Sequence, residues 1–175
     1  MNTTNHATVE RFESVDIDVS WLVVSSKVRA ACEANQCGHY DQCYQCPPRV
    51  GTLELWADRL RTFEHARLVI LTLSCAKAAT QSEILETRRP LNDVVLDLER
   101  RLRAEGSSSA LALVAGHCAL CTECSVVRGA SCVYPSLARP SLEAIGVDVG
   151  DVFGKLGRKL AFEPGQVTWV GAVLW

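Results

Sequence analysis

The sequence predicts a compact α/β or α+β sandwich in which helices cover a mixed sheet and two cysteine-rich loops leave element ends on one side. Short apolar runs rich in Val, Ile and Leu alternate along the chain with segments of helical apolar spacing, the pattern of a layered fold. Hydrophobic residues make up 48% of the 175 residues, enough to build one core in a chain of single-domain length. Eight of the nine cysteines gather in two knots, with Cys75 between them, so they mark loops and not elements. A ferredoxin-like split βαβ arrangement is the first expectation for the topology.

Residues 1–13 are polar and unpatterned and read as a flexible N-terminal arm, with residues 14–175 as one domain. Alternating Val15, Ile17 and Val19, followed by the apolar stretch from Trp21 to Val24, suggest a first strand. A short helix over residues 25–32 has Ser25 or Ser26 as its cap. Residues 32–48 hold too much Gly, Pro and polar side chain for a regular element and read as a ligand loop. Leu53, Trp56, Leu60 and Phe63 have the spacing of an amphipathic helix, and residues 66–73 form a buried strand. The longest helix spans residues 82–105, with Leu91, Val94, Val95, Leu98 and Leu102 as its apolar stripe, bent or begun afresh at Pro90. Residues 110–115 make another buried strand that feeds directly into Gly116, His117 and Cys118. Short helices over residues 141–145 and 152–160 and a closing strand over residues 168–175 complete the chain.

Lys plus Arg number 18 against 20 for Asp plus Glu, a net charge of −2 with no basic tail or stripe, which argues against nucleic acid as a partner. No apolar stretch approaches the roughly 20 residues that span a bilayer, and the polar start lacks the basic-then-apolar order of a secretory signal. The expectation is a cytoplasmic chain with no membrane partner. In that reducing compartment clustered cysteines read as metal ligands and not disulfides, and the odd count leaves at least one thiol over.

The strongest functional signal is Cys118-x2-Cys121-x2-Cys124-x7-Cys132 with Pro135 just behind it. Bacterial ferredoxins hold [4Fe–4S] cubanes with a similar three-cysteine run, and the turn it forms points backbone N–H groups at anionic sulfur. A zinc knuckle is the alternative, although zinc sites more commonly use two separated Cys-x2-Cys pairs. The other constellation is Cys32, Cys37, Cys43 and Cys46, followed by Pro47 and Pro48, and its spacing suits zinc as well as iron. Cys75, at the end of a buried strand, reads as a core thiol, with a place as a fourth ligand left open.

Cys37-Gly-His-Tyr40 with Cys46-Pro47-Pro48, Ala115-Gly-His-Cys118-x2-Cys121-x2-Cys124 with Cys132, and Arg139-Pro-Ser-Leu-Glu-Ala-Ile-Gly-Val-Asp-Val149 together cover roughly residues 21–149. Over that span the chain resembles a family of cysteine-rich microbial proteins described as predicted metal-binding proteins with a domain of unknown function. The family name carries no reaction. The resemblance implies a first cluster that needs only Cys32, Cys37 and Cys46, a non-cysteine residue being usual where Cys43 stands. The fourth iron is then left to Cys43, Cys75 or an outside ligand.

The leading expectation is two [4Fe–4S] clusters, held by Cys32, Cys37, Cys43 and Cys46 and by Cys118, Cys121, Cys124 and Cys132, which pass electrons to or from a redox partner protein. A second is an enzyme in which an open iron binds a small sulfur- or oxygen-bearing substrate, with His117, His39, Tyr40 and Arg139 as candidates for handling protons and charge. A zinc-stabilised interaction module is the third. Arg139 and Arg49 are candidates to offset the negative charge of the clusters, and Tyr40, Tyr44 and Tyr134 to shield them from water. Gly146 and Gly150 lack the context of a nucleotide fold, and no catalytic triad or carboxylate pair stands out.

Overall fold

The computed structural model describes residues 7–76, 79–160 and 165–175. Its sheet has four strands, β1 (Thr8–Ile17), β2 (Ala66–Ser74), β3 (Leu111–Leu113) and β4 (Gln166–Leu174), in the order β1-β2-β4-β3. Every neighbouring pair is antiparallel, so the fold is α+β and the sheet is not the mixed one expected. A split βαβ unit is nevertheless present. β2 and β3 both run against β4, hence parallel to each other, with β4 inserted between them and a long helix, α4 (Arg89–Ala104), in the connection. The chain order around that unit departs from the ferredoxin-like βαββαβ sequence, because β1 precedes it and pairs on the outside of β2.

The strand period of two gives β2 a core on each side. Leu68 and Ile70 face Trp56 and Leu60 of α2 (Leu53–Leu60) and Val152 and Phe153 of α5 (Val149–Lys155). Val69, Leu71 and Leu73 face Leu91 and Val95 on the inner stripe of α4. With both faces covered, β2 reads as a continuous apolar run, which is why residues 66–73 were legible as a buried strand. Helix α1 (Ser26–Glu33) starts where Ser25 accepts from the Lys27 N–H. The 82–105 helix is two helices, α3 (Gln81–Glu86), opened by a Thr80–Glu83 capping box, and α4, which carries Pro90 in its first turn, where no N–H is needed.

Three boundaries differ from expectation. The sheet claims Thr8 to Glu13, half of the expected arm, while residues 1–6 lie outside the described residues. β1 is an edge strand held by its ladder to β2, from Thr8↔Ser74 to Ile17↔Ala66, so it needs little apolar patterning; the segment after it, Val19–Trp21, is a short 3-10 turn capped by Asp18. Residues 141–145 form hydrogen-bonded turns instead of a helix, because their ends are committed elsewhere. Val114 N–H donates to the Pro140 carbonyl (2.9 Å), Ser25 N–H donates to the Gly146 carbonyl (2.8 Å), and Val24 bridges Val147. Helix α5 begins before residue 152 because Asp148 caps it, accepting from the Gly150 and Asp151 N–H groups. Among the described residues no helix is long and apolar enough to cross a membrane.

Gly171 sets the distance between α4 and the sheet. A Cβ there would lie 2.8 Å from Leu91 Cδ2, 2.9 Å from the Leu113 carbonyl oxygen and 3.1 Å from Val95 Cγ1. Gly171→Ala is expected to lower stability by about 1–3 kcal/mol, read as an earlier urea midpoint, because the backbone contact cannot move aside as a side chain could. An unchanged midpoint would show that the helix shifts freely.

Candidate metal centre

The second cysteine loop, residues 114–138, is clamped at its base by α4. At its start the Asn92 amide brackets Ala115, accepting from the Ala115 N–H (2.7 Å) and donating to its carbonyl (3.3 Å). At its end Arg139 Nε donates to both carboxylate oxygens of Glu99 (2.9 and 3.0 Å). The same carboxylate accepts from Arg103 (2.9 Å) and from the Ala112 N–H (3.2 Å). Glu99 and Arg139 are both buried, and Arg139 Nη1 also donates to the carbonyls of Ser136 and Ala138. Between these anchors the run of cysteines is tied by short backbone turns, such as Ala130 N–H to the Ser125 carbonyl (3.1 Å), and by Ser125 Oγ donating to the Ser131 carbonyl (2.7 Å).

The first loop, residues 34–52, leaves α1 and enters α2. Tyr40 N–H donates to the Asn35 side chain (2.9 Å) and Asp41 N–H to the Pro47 carbonyl (2.8 Å), which curls the segment around Cys43 and Cys46. Arg29 holds the Gly51 carbonyl (3.1 Å) and Trp56 the Val50 carbonyl (2.9 Å), fixing the exit. The two loops then touch at three places. Tyr44 OH donates to the Ala130 carbonyl (2.8 Å), the His39 and His117 rings stack with centroids 3.5 Å apart and planes 25° apart, and the Cys43 thiol meets that of Cys118.

Two cavities receive the cysteines. The larger, about 280 Å³, is lined by Cys32, Cys37 and Cys46 together with His39, Tyr40 and His117, and its other walls include Leu85, Trp169 and Val170. The smaller, about 20 Å³, is lined by Cys43, Cys118, Cys121, Cys124 and Cys132. Cys43, grouped by spacing with the first set, thus stands in the wall of the second. Cys75 lines neither cavity. Among the described residues no three Cys, His, Asp or Glu side chains converge closely enough to hold a single metal ion.

The electrostatics follow from these contacts. Hydrogen bonds with Cys118 and Cys46 pull the Cys43 thiol well below its ordinary range, and the same bonds, then burial, push Cys46 and Cys118 up. Cys43 thus stands between Cys46 of one set and Cys118 of the other. Burial, followed by the neighbouring charges of His39 and Arg88, lowers His117 to about 4, and burial lowers His39 as well, so both rings stack as neutral imidazoles.

Of the residues singled out for proton and charge handling, His39, Tyr40 and His117 share the larger cavity, whereas Arg139 is engaged with Glu99 and Arg49 with Asp41 (2.7 Å) at the surface. Tyr134 lines the smaller cavity and Tyr44 ties the loops together. Sequence reasoning missed Asn92, Glu99 and Arg88, all on or beside the long helix. A buried Glu at the inner stripe of α4, spaced i+4 from Val95 and i+8 from Leu91, is the signal that could have found Glu99.

A family model described as predicted metal-binding protein (DUF2284) matches residues 15–175. No curated protein and no solved structure matches.

Glu99→Ala is expected to cost about 3–5 kcal/mol in urea unfolding, because it leaves the Arg139 cation buried without its anion. Glu99→Gln, which keeps some of the accepting oxygens, should cost less. Equal and small losses in both variants would mean that the carboxylate does not anchor the loop.

Proposed function

Since the chain belongs to the family described as predicted metal-binding proteins (DUF2284), we propose that its metal centre is a pair of iron–sulfur clusters, one on each cysteine loop, and that one of them presents an iron to a small molecule. The observation that carries this reading is the position of Cys43. With its side chain in the wall of the smaller cavity, three thiols are left to the larger one, Cys32, Cys37 and Cys46. A [4Fe–4S] cluster takes one thiolate per iron. Cys118, Cys121, Cys124 and Cys132 supply a full set, and the first set is one short.

The residues present fit such a group. All candidate ligands are thiols, soft donors that suit iron–sulfur clusters and zinc. A tetrahedral zinc with Zn–S of about 2.3 Å would draw its sulfurs to within about 4 Å of one another, whereas among the described residues no three such side chains converge on a single ion. Buried Arg88 has an N–H with no partner among the described residues, as befits a cation beside an anionic group. The smaller cavity holds about one water's worth of space, so the second loop must dilate on loading. Its irregular course, with Leu120, Val133, Tyr134 and Leu137 exposed, allows that.

When bound, the fully ligated cluster supplies electron transfer and the open iron a Lewis-acid site for a sulfur- or oxygen-bearing molecule. Around the latter, Leu85, Trp169 and Val170 exclude water, and His39, Tyr40 and His117 are placed to hold or move a proton. The Cys46–Cys43–Cys118 contacts join the two sites through sulfur. A redox partner protein would meet the exposed second loop. A reducing compartment such as the cytoplasm keeps the thiols free for this role.

Protein purified anaerobically should carry about eight irons and about eight acid-labile sulfides per chain, and added cyanide or thiol should change the EPR signal of one cluster. About one or two equivalents of zinc with no sulfide would rule the reading out. Cys43→Ser is expected to retain both clusters and the response to cyanide. Loss of about half the iron in that variant would make Cys43 a ligand and remove the open iron.

A further inference from the structure

Arg88 is a cation buried where no carboxylate meets it. The residue is 4% exposed, and its Nε has no hydrogen-bond partner among the described residues. Its one hydrogen bond through the guanidinium, from Nη1 to the Leu85 carbonyl, fixes it at the junction of α3 and α4 but offers no negative charge. The adjacent acid, Glu86, pairs with Arg89 at the surface (2.5 Å). A guanidinium is costly to bury unpaired, so a fold that keeps one implies an anion at that place.

Gly116 shows where the anion belongs. It passes directly over Arg88 with φ of 70°, and a Cβ at that position would lie 3.3 Å from Arg88 Cδ and 3.5 Å from Nε. The loop therefore runs against the guanidinium two residues before Cys118, with a residue whose lack of a side chain permits that approach. The two arginines that the motifs suggested for this task, Arg139 and Arg49, already have carboxylate partners.

We propose that Arg88 is the counter-charge of the cluster on the second cysteine loop, a positioning residue whose charge lies behind the backbone that leads into Cys118 and acts on the anionic group Cys118 helps to hold. This rests on the two-cluster reading above. Reduction adds an electron to that group, so a fixed positive charge beside it favours the reduced state and raises the potential.

The test is a redox titration of the anaerobically purified protein, followed by EPR, with iron and sulfide measured in each variant. Arg88→Gln should disfavour reduction of one cluster about tenfold, a shift of about 59 mV to lower potential, and it should be the cluster whose signal Cys121→Ala removes. Arg88→Lys, which keeps the charge, should stay near wild type. Wild-type protein without iron and sulfide would mean that the two-cluster reading itself fails. Full loading with the same potential in wild type and Arg88→Gln would overturn the role of Arg88 alone. If Arg88→Gln fails to load, Arg88→Lys decides: loading at the wild-type potential supports the proposal, and loading at a potential tenfold or more less favourable overturns it.

Discussion

The carboxylate of Glu99 is the interaction on which the cysteine loops depend. It is buried on the inner stripe of α4 and gathers Arg139, Arg103 and the Ala112 N–H onto two oxygens, so one side chain ties helix, strand and loop end together. A buried ion pair adds little net stability over apolar packing of the same volume, but it admits few alternative geometries. Two turns earlier on the same helix Asn92 holds the start of the loop. The chain from 116 to 138 has no strand or α-helix of its own and inherits its position from these two points on α4. The close approach of α4 to the sheet at Gly171 fixes how far those points stand from β3 and β4.

The first loop is positioned by a different set of contacts and meets the second through side chains. Ser25 and Val24 are pinned to the 146–147 turn, which follows directly from the Arg139 anchor, so α1 and the start of the first loop are referred to the same base. The Tyr44–Ala130 hydrogen bond, the His39–His117 stack and the Cys43–Cys118 contact then bring the loops together. This geometry redistributes the cysteines. Spacing along the chain divides them four and four, but space divides them three and five, because Cys46 lines the larger cavity and Cys43 the smaller.

That redistribution shapes the chemistry the protein can support. An apolar cavity with three thiols, two neutral imidazoles and a phenol has the character of a small-molecule site, with a few polar groups on a mostly apolar wall. The second set, near the surface and ringed by exposed apolar side chains, has the character of a place where a partner can approach. Arg88 lies against Gly116, a residue in the wall of the larger cavity and two residues before Cys118 of the second set.

The sequence by itself determined most of the elements and the two cysteine loops. The buried strand at β2, the long amphipathic helix with its new start near Pro90, the Ser25 cap and the closing strand were legible because each is encoded within a few residues, by period, cap or proline. The cysteine motifs likewise named the candidate ligands and, beside them, His39, Tyr40 and His117, which lie within the motifs and line the larger cavity. Only the tertiary structure decided the rest. It drew Thr8 to Glu13 into the sheet, because an edge strand is held by backbone pairing that side-chain pattern does not record. It committed Arg139 to Glu99, 40 residues away, left the Nε of buried Arg88 without a partner among the described residues, and turned Cys43 toward Cys118. Those outcomes depend on which side chains meet across the loops, and contacts between residues far apart in the chain leave no periodic trace in it.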